Sequence, residues 1–348
     1  MVKRFFIKQT VEKRLDAGPK AKLDTYKILE KRGFQPIIYV SNSKNRFLRY
    51  FQGLVIIFKV LHLKNSYVLI ENPIENWRFL SIANRIMRLR KNYLILLIHD
   101  IESERYPDFP KQMEYSFINT FDSIIAHNEY MKEFLAGKIN EKVKVYTLGI
   151  FDYLVDDEPK QNSYNVGDLN FNKDKWEVVF CGNLSRVKSS FLYSMGSIKP
   201  QNWELNLYGS GIEDISQIPL IKYKGSFNPN KPLISENSDF GLIWDGDSIY
   251  TCDGIWGNYM RINNPHKLSL YIVLNLPIIV WKDAAVAKFV EENGLGFSVA
   301  SLLDISDKLS ALTQKDYLTF RKNLGYFNRK VTSGEYLALS LKQINGNL

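Results

Sequence analysis

Apolar runs of strand length alternate with amphipathic stretches of helix length along almost the whole chain. In the first half the strand candidates are Arg4–Lys8, Pro36–Val40, Tyr67–Ile70, Tyr93–His99, Ser123–Ala126 and Val143–Leu148. Helical patterns lie between them near 19–32, 46–62, 76–91, 112–120 and 129–137. Near-continuous apolar strands separated by helices predict a parallel sheet covered on both faces. Residues 156–174 then lose periodicity, and their Pro, Gly and Asn read as a linker or long loop. A second alternation follows, with strands Glu177–Cys181, Glu204–Tyr208, Tyr223–Lys224, Phe240–Trp244, Pro277–Val280 and Gly296–Val299. Its helices are expected near 188–195, 230–236, 265–274, 284–293 and 302–312, before a helical tail over 315–345. The expected class is α/β, with two Rossmann-like domains. The first spans 1–155, the second 175–315, and helices over 316–348 have the option of crossing back to the first.

A doubly wound sheet binds ligands at the carboxyl ends of its strands, so the loops there are where chemistry is sought. LDAGPKAKLD, 15–24, combines Asp16, Gly18 and a helix start carrying Lys20 and Lys22. It fits an anion or acceptor site, and equally a plain strand-to-helix turn. IHDIESER, 98–105, ends an apolar run in His99 and Asp100, a hydroxyl ligand and a candidate general base. FCGNLSRVKSSF, 180–191, places Gly182 ahead of Arg186 and Lys188, partners for a pyrophosphate. Tyr208 of LYGSG borders a nucleobase or simply packs. The densest stretch is 239–281. There Asp245-Gly246-Asp247 follows a strand, and Asn264-Pro265-His266-Lys267 opens an apolar helix. A lysine so early in a helix opposes the dipole, which points to an anion at that end. Ser248–Ile262 reads as an irregular, mobile loop. The paired aspartates suggest a divalent metal, but the phosphates already have cationic partners, so no metal is expected. The four histidines lack zinc spacing.

Composition changes the picture in three places. The chain has two cysteines in 348 residues, too few for a disulfide framework, which predicts a reducing, cytoplasmic setting. The N-terminus lacks a sustained apolar core and does not read as a signal peptide, and no window is long enough to span a bilayer. The net charge of +9 is unevenly placed. Residues 1–150 hold 26 Lys/Arg against 15 Asp/Glu, and the remainder is slightly acidic. A basic half predicts an anionic partner: a membrane surface, a diphosphate lipid or a nucleic acid. No helix-turn-helix, zinc or RNP-like signature is present, so nucleic acid is not expected. RFLRYFQGLVIIFKVLHLK, 46–64, fits an interfacial helix or a core helix with a basic solvent face.

The stretches DAGPKAKLD, IHDIESER, IFDYLV, FCGNLSRVKSSF, LYG, YKGSF, FGLIWDGDS, NNPHKLSLY and FVEENGLGFSV together resemble bacterial beta-1,6-galactofuranosyltransferases of O-antigen and exopolysaccharide clusters. They are similar, more distantly, to the glucosyltransferase that acts second on streptococcal serine-rich adhesins. This resemblance covers residues 16 to 299. It implies a GT-B glycosyltransferase with an N-terminal acceptor domain, a C-terminal nucleotide-sugar domain, a UDP-sugar donor and no further cofactor. It places Arg186, Tyr208 and Lys267 on nucleotide-sugar contacts, while Gly182, Asp245, Asp247, Asn264 and His266 are donor-site candidates read from the residues themselves. The reaction it implies is inverting transfer of galactofuranose to a sugar hydroxyl, O6 of a glucosyl residue, on an acceptor carried by a polyprenyl diphosphate at the inner face of the membrane. Asp16 and Asp100 are the candidate bases, and Gly18 belongs to the anion-binding loop. Glucose transfer from UDP-glucose to a glycoprotein or glycolipid, a non-catalytic sugar-binding subunit and self-association stay open.

Overall fold

The computed structural model describes residues 2–10, 17–39, 45–156, 171, 173–199, 201–235 and 237–346. Among the described residues twelve strands form: β1 Arg4–Gln9, β2 Gln35–Tyr39, β3 Tyr67–Asn72, β4 Tyr93–Ile98, β5 Ser123–Ala126, β6 Lys144–Thr147, β7 Trp176–Asn183, β8 Trp203–Ser210, β9 Ile221–Tyr223, β10 Phe240–Ile243, β11 Ile278–Trp281 and β12 Gly296–Val299. The helices are α1 Ala17–Lys31, α2 Arg46–Val60, α3 Trp77–Leu89, α4 Lys111–Ile118, α5 Glu129–Leu135, α6 Phe191–Ser194, α7 Gly254–Tyr259, α8 Lys267–Val273, α9 Ala287–Glu292, α10 Ile305–Ala311, α11 Gln314–Ser333 and α12 Glu335–Asn345.

The chain divides into two compact units. The first holds residues up to Arg14, Ala21–Gly149 and Tyr336 onward; the second holds Leu15–Lys20 and Ile150–Glu335. Each is built on a six-stranded sheet, ordered β2-β1-β3-β4-β5-β6 in the first and β12-β11-β10-β7-β8-β9 in the second. All neighbouring strands run parallel. Strands such as β4, YLILLI, are buried almost end to end, as a sheet covered on both faces requires. In each unit the chain winds outward one way, returns beside its first strand and winds the other way. That reversal creates a crevice between β1 and β3 in the first unit and between β7 and β10 in the second.

In the first unit, Asn45 caps α2 by accepting the Phe47 and Leu48 N–H groups. A Cβ on Gly53 would lie 2.3 Å from the Phe79 ring, so glycine sets the close approach of α2 to α3. The buried face of α2 is Gly53, Ile56 and Val60; Phe47, Phe51 and Phe58 stand exposed on the other. α12 packs on this unit, where Ser340 donates to the Thr147 carbonyl at 2.9 Å.

In the second unit, Tyr271 of α8 is buried beneath the sheet. Its hydroxyl accepts the Cys181 N–H at 3.1 Å and donates to the Leu242 carbonyl at 3.0 Å, tying β7 to β10. A Cβ on Gly241 would come within 2.3 Å of that ring, so a glycine in mid-strand makes room for it.

Two expectations are corrected. No helix forms over 231–235, where the Ser235 N–H donates to the buried Tyr208 hydroxyl at 2.9 Å and not to a helical carbonyl. The stretch 248–262 is not wholly irregular, since it contains α7 and is pinned by Leu302 N–H to Ile249 and Ala285 N–H to Met260. Residues 157–170 and 172 of the expected linker lie outside the described residues.

Tyr271→Phe leaves a buried N–H and a buried carbonyl short of a partner. It is expected to lower unfolding free energy by about 1–3 kcal/mol. Urea denaturation of the two proteins side by side measures this, and equal midpoints would show that the brace contributes nothing.

Candidate active site

The crevice of the second unit gathers most of the residues singled out in its sequence. Gly182 is the last residue but one of β7 and Gly209 the last but one of β8, and the two are paired across the ladder. Their φ angles are 144° and 149°, and a Cβ on Gly209 would sit 1.8 Å from the Gly182 carbonyl oxygen. Only glycines fit, and they leave the backbone bare at the sheet end. Above it lies Lys267, whose Nζ stands 4.3 Å from the Phe180 ring centroid. A Cβ on Gly182 would lie 3.2 Å from its Cε. Asp245, released by the end of β10, pairs with this ammonium at 2.9 Å, and both side chains are nearly 90% buried (12% and 11% exposed). A lysine held between a carboxylate and an aromatic face, over bare backbone, is a cation preset for a diphosphate oxygen. It can neutralise charge that develops on a leaving group.

Asp247 does not join that pair. It is exposed, and its N–H donates to Asp253 at 3.1 Å within a turn built on Gly246 and Gly254, both with positive φ. Arg186 leaves the β7 turn and is half-exposed. Its Nε and backbone N–H both donate to Glu213, at 3.1 and 3.2 Å, and its guanidinium lies 4.1 Å from the Tyr193 centroid. The fork is thereby aimed from one side, leaving its outer amino groups for a ligand. Tyr208 is buried against Phe227, and burial raises its pKa. Asn264 is buried just ahead of α8.

His266 stacks on Tyr153 with centroids 4.8 Å apart, and the Lys20 ammonium lies 4.8 Å from the same Tyr153 ring. Lys20 also donates to the Leu154 carbonyl, and Ser269 to that of Phe151 at 2.5 Å. So Lys20, Tyr153 and His266 form one stack. Sequence reasoning had Lys20 and His266 separately; IFDYLV was the signal for the third member. Gly18 falls in the first turn of α1, and Asp16 lies outside the described residues.

In the first unit, Asp100 follows β4 and ion-pairs with Arg105, which also holds Glu102 at 3.0 Å. His99 is buried, its Nε2 2.9 Å from Glu71. His127 lies behind it, and burial together with His99 pushes its pKa down to about 3. Glu71 and Glu102 were not singled out from sequence; IHDIESER held the second in view. Among the described residues no three His, Cys, Asp or Glu side chains are grouped to hold a metal ion.

Residues 4–150 match the family described as the glucosyltransferase 3-like N-terminal domain, and residues 178–344 match its C-terminal domain. The beta-1,6-galactofuranosyltransferase WbbI of Escherichia coli K12 is 30% identical over 349 residues, covering 99% of each chain. The chain belongs to the glucosyltransferase 3-like family. It is a glycosyltransferase. Glucosyltransferase 3 of Streptococcus parasanguinis is 23% identical over 77% of this chain and 74% of its own. The fold is shared with a glycosyltransferase from Rickettsia africae, at a TM-score of 0.56 and 14% identity over 99% and 97% of the two chains. It is shared also with sucrose-phosphate synthase of Thermosynechococcus elongatus, at 0.58 and 12% over 99% and 98%. The architecture is therefore GT-B, with two Rossmann-like domains.

Removing Lys267 strands the Asp245 carboxylate among apolar neighbours. Lys267→Ala is expected to cost about 3 kcal/mol of stability, and adding Asp245→Asn should recover most of it. UDP affinity, read by calorimetry, should stay at least tenfold weakened in both. Full recovery of UDP binding in the double variant would remove the lysine from the phosphate site.

Proposed function

We propose that the chain transfers galactofuranose from UDP-galactofuranose to a sugar hydroxyl, O6 of a glucosyl residue, during cell-surface polysaccharide synthesis. The observation that carries this reading is the buried Lys267–Asp245 pair over the bare Gly182 backbone at the β7/β10 crevice. The 30% identity to WbbI along nearly the whole chain supports the choice of donor. In this reading Lys267 and Arg186 hold the diphosphate and take up its negative charge as the anomeric bond breaks. A carboxylate of the N-terminal domain receives the proton of the acceptor hydroxyl. UDP-sugar is a substrate, and the mechanism uses no further cofactor. The family's glucosyltransferase 3 members support a second reading, transfer of glucose from UDP-glucose. The full chain should therefore be offered UDP-galactofuranose, UDP-galactopyranose and UDP-glucose, with UDP release as the readout. Fastest turnover is expected with UDP-galactofuranose. A clear preference for UDP-glucose would replace the first reading by the second.

The acceptor in this proposal rides on a polyprenyl diphosphate, so the enzyme works at an anionic membrane surface, peripherally and from the cytoplasmic side. No helix among the described residues is long and apolar enough to cross a membrane. The exposed stripe of Phe47, Phe51 and Phe58 on α2 supports surface attachment. The chain is expected to float with vesicles containing anionic phosphatidylglycerol and to stay behind with neutral ones. Replacing the three phenylalanines by serine should abolish flotation. Equal flotation of wild type and triple variant would rule out α2 as the membrane contact.

A further inference from the structure

The first unit has its own crevice, and the donor residues do not occupy it. A cavity of about 390 Å³ opens where β1 ends in Gln9 and β3 ends in Asn72-Pro73. That is the reversal point of this sheet, between β1 and β3. Its volume is at the small end of the ~300–1,000 Å³ typical of small-ligand pockets. Half-buried Trp77 and Phe109 give it aromatic walls; Gln9 and Lys22 add polar groups. Three carboxylates, Glu75, Glu102 and Glu114, face one lysine in the lining. That charge balance repels a diphosphate and suits a neutral polyol, whose C–H faces pack on aromatic rings while its hydroxyls donate to carboxylates.

The three acids are not equivalent. Glu75 is exposed at the rim. Glu114 is buried and spent: one oxygen accepts the Glu102 N–H at 2.8 Å and the Asn72 amide at 3.3 Å, and the other accepts the Ser103 N–H at 2.9 Å. It is a positioning residue that fixes the turn carrying Glu102. Glu102 has one oxygen on Arg105 at 3.0 Å, and its other oxygen accepts nothing from the described residues. Asp100, which shares Arg105, is not part of the lining. Burial raises the Glu102 pKa. Arg105 opposes this, Asp100 and Glu114 add to it, and Lys22 opposes it weakly. A carboxylate held this way is a stronger base than an exposed glutamate.

We propose that this cavity seats the acceptor sugar ring, with Glu102 as the base for its attacking hydroxyl. The inference rests on the glycosyl-transfer reading. The hydroxyl oxygen bonds to the anomeric carbon of the nucleotide-sugar, the bond from that carbon to the diphosphate breaks, and its electron pair leaves with the diphosphate. The hydroxyl proton passes to the free oxygen of Glu102.

Two measurements on the full chain decide it. Saturation-transfer NMR with octyl glucopyranoside as probe should show contact with the wild-type chain. The contact should be kept in Lys267→Ala and lost in Trp77→Ala, with Phe109→Leu weakening it as a milder variant. No contact in the wild type, or contact unchanged in both aromatic variants, overturns the pocket. With octyl glucopyranoside as acceptor and the preferred UDP-sugar, Glu102→Gln should lower kcat about 100-fold, with acceptor KM and UDP affinity little changed. The base form is lost as pH falls through the raised pKa, so wild type should show an acidic limb above the ordinary glutamate range, and Glu102→Gln should lack it. A smaller loss in Glu102→Gln than in Asp100→Asn or Asp16→Asn overturns the base role. A chain that turns over none of the donors overturns the transfer reading and Glu102's role with it, while NMR still decides whether the cavity binds sugar.

Discussion

The second domain is organised around one ion pair. Lys267 and Asp245 meet at the carboxyl end of a sheet whose interior is apolar, and each charge there is tolerable only because the other is present. The pair depends on the bare glycines beneath it, on Phe180 beside it, and on Tyr271, which seats α8 and ties β7 to β10. In the proposed reaction a diphosphate at this end would compete with Asp245 for a cation that is already desolvated and oriented, with little reorganisation on binding.

The first domain has the same sheet logic and the opposite electrostatics. Its crevice is lined by glutamates, although residues 1–150 carry the chain's whole excess of positive charge. Most of the basic residues are therefore elsewhere, and α2 carries two of them, Arg49 and Lys59, both exposed. If the proposed reaction holds, an anionic donor and a neutral acceptor hydroxyl need surfaces that differ, and charge placement separates the two crevices.

Strand and helix alternation was legible because parallel strands buried on both faces leave long apolar runs, and all twelve strands of the described residues lie within two residues of their expected bounds. β9 was the hardest, since only Ile221 of its three residues is buried. Lys267 stood out as a cation misplaced against a helix dipole. Glu102 did not, because nothing local separates it from Asp100 or Glu104. Its standing comes from Glu114, twelve residues on, taking up the N–H groups of its turn.

By itself the amino-acid order determined the two parallel α/β halves and the family, since each follows from local periodicity or from short motifs. Only the tertiary structure decided which charges are partnered. It put Lys267 on Asp245, Arg186 on Glu213, Asp100 on Arg105, and His266 in a stack with Tyr153 and Lys20. Those partnerships range from neighbours in one turn, Asp100 and Arg105, to residues 133 positions apart, Lys20 and Tyr153, and burial, which sets their strength, belongs to the folded packing alone.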